Sequence, residues 1–178
     1  MAEARERVAL LLAVGEVFWK ELQRVDRAEA AFREALDVDP ESRDAVAALG
    51  RLYERSGNWN LALEMLRQES RLAAASPDAV DLHFRMGRIH EEMLLDLPAA
   101  QLEYERALDL EPGHLPSLRA LKGIREREGN REEYLRLLLA ESRYAEDDAG
   151  KAVLLTEAGR IHLEERADRE GAARLFEE

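Results

Sequence analysis

The 178-residue chain contains no cysteine. That excludes disulfide scaffolds, cysteine–zinc sites, thiol catalysis and iron–sulfur clusters. Lysine is almost missing: three residues (Lys20, Lys122, Lys151) stand against 23 arginines, a bias of the kind found in GC-rich bacterial genomes. Aromatic residues make up only 6%. No apolar run approaches the ~18 residues that span a bilayer. The segment 8–14 is apolar but short, and no small-residue cleavage site follows it, so it does not read as a signal peptide. Nowhere do apolar and polar residues alternate with β-branched enrichment, so no strand is expected. Positive charge is also short: 26 basic residues face 38 acidic ones, a net charge of −12. A phosphate surface would repel such a chain, which argues against bare nucleic acid and against direct membrane binding. What is present is 46% apolar residues, enough to build a core.

The apolar residues are ordered by an internal period. Gly15, Gly87 and Gly159 are spaced by 72 residues, as are Ala28, Ala100 and Ala172, and Phe32, Tyr104 and Phe176. At the same offset Ala35-Leu36 matches Ala107-Leu108, Pro40 matches Pro112, and His90 matches His162. Glu69-Ser70-Arg71 likewise matches Glu141-Ser142-Arg143, and Gly57-Asn58 matches Gly129-Asn130. The unit is a double repeat of two slightly different helical hairpins. Within a hairpin the spacing is helical: Ala28, Ala31, Phe32, Ala35 and Leu36 share one face. Asp39-Pro40, Ser76-Pro77 and Glu111-Pro112 end helices, because proline cannot continue one. Gly57-Asn58 and Gly129-Asn130 supply tight turns. The pattern predicts helices near 3–22, 26–37, 42–56, 59–73, 77–94, 97–109, 114–128, 131–144, 147–165 and 168–177.

These residues resemble the tetratricopeptide repeat (TPR) family, whose pattern is a small residue in the first helix, an aromatic three later, then Ala, Phe/Tyr, Ala-Leu and Pro. One unit carries Gly15, Phe18, Ala28, Phe32, Ala35-Leu36 and Pro40; another carries Gly87, His90, Ala100, Tyr104, Ala107-Leu108 and Pro112. The second unit carries Gly50, Tyr53, Gly57, Ala62 and Leu66. The resemblance covers nearly the whole chain. It implies an all-α, right-handed α-solenoid of about ten antiparallel helices, one array over 1–178 with units near 3–40, 41–76, 77–112, 113–146 and 147–178. Departures are visible. Odd units have one extra residue between their helices, near 24–27 and 95–98. Even units carry second helices that read as longer and more apolar. Unit four has Lys122 where a small residue belongs, and Arg125 where an aromatic belongs. Packing is expected to be looser there, with the Arg125 head lifted into water. The chain stops in mid-unit at Leu175 and Phe176. Such an end fits a piece of a longer array, or an edge that meets a partner or a second copy.

Chemistry is nearly absent from the sequence. There is no phosphate loop, nucleophile elbow or His-Glu-x-x-His pair. His83, His90 and Glu91 could be read as metal ligands. His90 and His162 occupy the family's aromatic position, however, so core packing is expected and no metal or cofactor is. His114 is expected to cap a helix or to lie at the surface, and Trp59 to staple two helices together. The acidic runs Glu132-Glu133 and Glu146-Asp147-Asp148 fall at helix starts, where they favour the dipole. No enzyme activity is expected.

The resemblance instead implies a concave groove formed by the first helix of each unit, which takes a protein or peptide. The thirty positions carried over to that groove hold eight basic and nine acidic residues, so nearly all the excess negative charge lies elsewhere. An arginine stripe runs through it: Arg51, Arg85, Arg88, Arg119 and Arg160, with Arg55 beside it. Arginine holds carboxylates bidentately, and Trp19 and Phe84 could anchor apolar groups. Two readings stay open for the stripe: recognition of a partner with acidic and apolar groups, or pairing with neighbouring glutamates. The Lys/Asn/Arg clamp of chaperone-tail binders is missing, since asparagine occurs only at Asn58, Asn60 and Asn130, near turns. The expected function is a non-catalytic interaction scaffold, with a spacer or self-association module as the alternative. A cytoplasmic location is expected, unless a targeting signal lies outside this chain.

Overall fold

The computed structural model describes residues 2–73, 76–166, 171 and 173–175. They are helical and contain no strand. The chain divides into two compact units, 1–95 and 96–178. The division falls inside the third predicted repeat.

In the first unit, α1 (Ala2–Lys20) packs on α2 (Val25–Val38), and α3 (Arg43–Arg55) packs on α4 (Trp59–Leu72). Helix α5 (Asp78–Arg88) follows and continues directly into a π-turn, Ile89–Met93. The core forms where the predicted faces meet: Ala28 and Phe32 of α2, Leu49, Leu52 and Tyr53 of α3, Ala62, Leu63 and Leu66 of α4, Leu82 and Met86 of α5. In the second unit α6 (Leu97–Leu110), α7 (Leu115–Arg127), α8 (Arg131–Arg143) and α9 (Asp148–Arg166) pack in sequence. Residues 171 and 173–175 are helical too, within the tenth predicted helix.

The caps explain where helices begin. Ser42 accepts from the Ala45 N–H at the start of α3, Asp96 from Ala99 at α6, and Asn130 from Glu133 at α8. Asp147 accepts from the Gly150 N–H and opens α9. His114 stands at the α7 N-cap, but its Nδ1 meets the Ser117 hydroxyl at 2.8 Å rather than a backbone N–H.

The connections show how the two hairpin types differ. In the even type, Gly57 (φ 74°) and Gly129 (φ 68°) take the left-handed conformation. There the N–H of Asn58 reaches back to the Tyr53 carbonyl, and that of Asn130 to Arg125. In the odd type the left-handed positions are Gln23 (φ 51°) and Leu95 (φ 55°), 72 residues apart. The extra residue is absorbed by wider turns: Leu22 N–H bonds the Val17 carbonyl, and Leu94 N–H bonds that of Ile89. So the insertion expected near 95–98 is taken up earlier, inside the helix, as the π-turn. Even-type second helices are not longer: α4 has 14 residues and α8 has 13, while α2 and α6 have 14 each. Nor are they more apolar: α4 holds seven apolar residues in 14 and α8 six in 13, against eight in 14 for each of α2 and α6.

Candidate functional site

In the first unit the C-terminal parts of α1, α3 and α5 surround a hollow of about 450 Å³. Five of the eight predicted groove residues line it: Trp19, Arg51, Arg55, Arg85 and Arg88. Helical spacing delivers them. Arg51, Glu54 and Arg55 lie at i, i+3 and i+4 on α3, and Arg85 and Arg88 at i and i+3 on α5. The π-turn then brings Ile89, Glu92 and Met93 to the same hollow. Such turns insert a residue without breaking the helix, which keeps an apolar side chain facing the site. Trp59, the first residue of α4, lines the hollow as well. Both tryptophans are half-buried and pack against the core cluster, so Trp59 is a staple and a wall at once.

The arginines are partly engaged. Arg85 donates to Glu54, and Arg88 grips Glu92 with Nε and Nη2, each at 2.8 Å. That fork holds the Glu92 carboxyl below the usual range. Arg51 reaches only to 3.9 Å from Glu16. These pairs are exposed enough to be exchanged for contacts from another molecule at little cost. Below them, Glu69 of α4 is buried, and its burial pushes its carboxyl up despite the nearby charges of Arg85, Arg43 and Arg51.

The remaining predicted residues lie elsewhere. Phe84 is half-buried on α5 and is not among the residues lining this hollow. Arg119 belongs to α7, where it and Lys122 both bind the buried Glu141 of α8. Burial alone would raise the Glu141 carboxyl; Lys122 and Arg119 together hold it below its ordinary value. Arg160 is exposed on α9. Leu175 is half-buried against the cluster of Tyr134, Leu138 and Ile161, and Phe176 lies outside the described residues. Arg125 departs from expectation. Its side chain is only 18% exposed, held by Glu128 at 2.9 Å, Gln101 at 3.1 Å and Glu105 at 3.4 Å. The head stays down because α6 and the α7 C-terminus supply acceptors that water would otherwise provide.

Sequence reasoning missed Trp59, Ile89 and Met93 as site residues. For Ile89 and Met93 the signal was the extra residue of the odd units, taken up here by the π-turn. His90 is buried, and His83 meets the Ser70 hydroxyl at 3.1 Å. Among the described residues no group of three or more His, Asp or Glu is placed to hold a metal ion, and no helix is long and apolar enough to cross a membrane.

The sequence model of the tetratricopeptide repeat family matches residues 21–68. No curated protein matches the chain. Among solved structures, MamA is similar over 99% of this chain and 90% of its own, with 18% identity and a TM-score of 0.62. YrrB, a TPR protein with an unusual peptide-binding site, is similar over 99% of this chain and 86% of its own, at 20% identity and a TM-score of 0.60. A tetratricopeptide repeat protein from Parabacteroides merdae covers 96% of this chain and 76% of its own, at 16% identity and a TM-score of 0.57. At these identities the likeness shows the fold. The family match is confined to residues 21–68, so the chain carries a tetratricopeptide-repeat segment there and shares the fold of these proteins over nearly its whole length.

Proposed function

We propose that the chain is a non-catalytic interaction scaffold that docks a segment of a partner protein in the groove of its first helices. One observation carries this reading: five of the eight residues assigned to the groove line one hollow. Exposed arginines beside half-buried tryptophans are the residue types that dominate interface energetics. YrrB shares the fold and has a peptide-binding site, which supports a protein or peptide as the bound class. The partner's acidic groups would meet the arginines and its apolar groups the tryptophans.

Reversing two charges, Arg51→Glu with Arg88→Glu, should reduce retention of the partner about tenfold or more in affinity capture from the source cells. Circular dichroism should be unchanged, because both side chains are more than half exposed, at 51% and 54%. Equal capture by wild type and variant would remove the groove as the binding surface.

A second reading, association of units end to end, is favoured by a different face. Leu10 (67% exposed), Val14 and Val17 leave an apolar stripe on α1. The residues 72 positions later, Leu82, Met86 and Ile89, are buried in the cluster that includes Leu63 and Leu66 of α4. If that stripe mediates self-association, the mass seen by sedimentation rises with concentration and Leu10→Asp/Val14→Asp abolishes the rise. A constant monomer mass would exclude it.

A further inference from the structure

We propose that the hollow between Trp19 and Trp59 is the anchoring pocket of the groove, and that it takes one bulky apolar side chain flanked by carboxylates in an extended peptide segment. This rests on the groove reading, and adds to it a single location and a ligand chemistry.

The two tryptophans are the only ones in the chain, and they come from different helices to line the same space. Each is half-buried and packs against the core cluster. Ile89 and Met93 complete the apolar surface, and Met93 is 46% exposed. Methionine is unbranched and flexible, and adapts to an incoming side chain. The volume, about 450 Å³, lies toward the small end of ligand pockets (~300–1,000 Å³). That suits one large side chain better than a folded surface.

Charge sets the flanking chemistry. Four arginines and two glutamates line the hollow, a local excess of two positive charges in a chain of net −12. Glu54 and Glu92 already sit on Arg85 and Arg88, and they show how a carboxylate is held there. Arg55 makes no ion pair among the described residues, and Arg51 makes only the long one to Glu16. These two cations stand beside Trp19 with donors to spare, and an approaching carboxylate would complete them. An uncharged apolar segment would leave them desolvated and unpaired.

The test uses peptides without tryptophan, so that emission reports only Trp19 and Trp59. Acetyl-Ala-Asp-Glu-Phe-Glu-Asp-Ala-amide is titrated into the intact protein. It is compared with the isosteric amide version, Ala-Asn-Gln-Phe-Gln-Asn-Ala, and with a version carrying Ala in place of Phe. The acidic Phe peptide should give a saturable emission change and bind about tenfold or more tightly than either control. Arg51→Gln/Arg55→Gln should weaken it by a similar factor and leave helicity unchanged. Equal binding of the acidic and amide peptides overturns the proposal, as does no saturable change up to millimolar peptide. If partner capture still depends on Arg51 and Arg88 while the acidic peptide fails, the anchoring chemistry falls and the groove reading stands.

Discussion

Replacing Glu141 with Gln should lower unfolding free energy by about 2–3 kcal/mol, whereas replacing Glu69, its counterpart 72 residues earlier, should leave stability unchanged or raise it by up to about 1 kcal/mol. Both carboxylates are buried, at 4% and 8% exposed. Their surroundings differ. Glu141 binds Arg119 and Lys122; Arg119 can turn into water, but the Lys122 side chain is 19% exposed and would be left with an unpaired ammonium. At the equivalent positions beside Glu69 the chain has Ala47 and Gly50. Of the arginines whose charges reach it (Arg85, Arg43 and Arg51), Arg43 pairs with it only at 3.8 Å and is bound to Asp78 at 2.6 Å. Glu69 therefore bears the desolvation without close compensation. The pH dependence should have opposite signs. The Glu141 carboxyl is held below its ordinary value of 4.5. Its contribution is present above that value and is lost as pH falls through the folded one. The Glu69 carboxyl is pushed above 4.5, so the folded state binds its proton more tightly and loses stability as pH rises through that window. Urea unfolding of both variants between pH 3 and 7 measures this. The Glu141→Gln deficit should shrink toward acid, while any Glu69→Gln advantage should appear only toward neutrality. Equal penalties for the two variants at pH 7 would contradict this assignment.

That contrast also marks what the sequence could and could not reveal. The match of Glu69-Ser70-Arg71 to Glu141-Ser142-Arg143 is plain in the letters. Burial of its glutamates is not, because a carboxylate in a helix is ordinarily solvated. Helix positions were legible almost throughout, since apolar spacing, proline stops and the Ser42, Asp96 and Asn130 caps all agree on them. The Arg125 network was not legible: Gln101 and Glu105 lie 24 and 20 residues away and meet Arg125 only once α6 packs on α7. The groove arginines were found because repeat position fixes which side of a helix they occupy. Trp59 escaped because its role as a helix staple is real and hides its second face, the one lining the hollow. The π-turn announced itself as an extra residue, but counting residues cannot tell a longer loop from a bulge inside a helix.

Gly15→Ala should destabilise the protein by about 2 kcal/mol, while Gly123→Ala should stabilise it by about 1 kcal/mol. Both glycines are inside helices, α1 and α7, where alanine is intrinsically favoured by about 1 kcal/mol. What differs is the space. A Cβ at Gly15 would lie 2.3, 2.6 and 2.9 Å from three atoms of the Phe32 ring. Phe32 is fully buried among Ala28, Leu49, Leu52 and Tyr53, so the ring has nowhere to go and the helices must separate. At Gly123 no atom lies within 4 Å, so the methyl group enters open space and only the helix gain remains. Gly50 falls between them, with Met65 Cβ at an ordinary 3.5 Å. That room explains how the corresponding even-type position, Lys122, accommodates a long side chain. In the first hairpin the demand for a small residue at Gly15 thus comes from the Phe32 ring of the second helix, which crosses close above it. Thermal unfolding of Gly15→Ala with Phe32→Leu checks the cause: part of the single-variant loss should be recovered, because the smaller side chain relieves the contact. A double variant losing the sum of the two single effects would place the cost of Gly15→Ala somewhere other than the Phe32 ring.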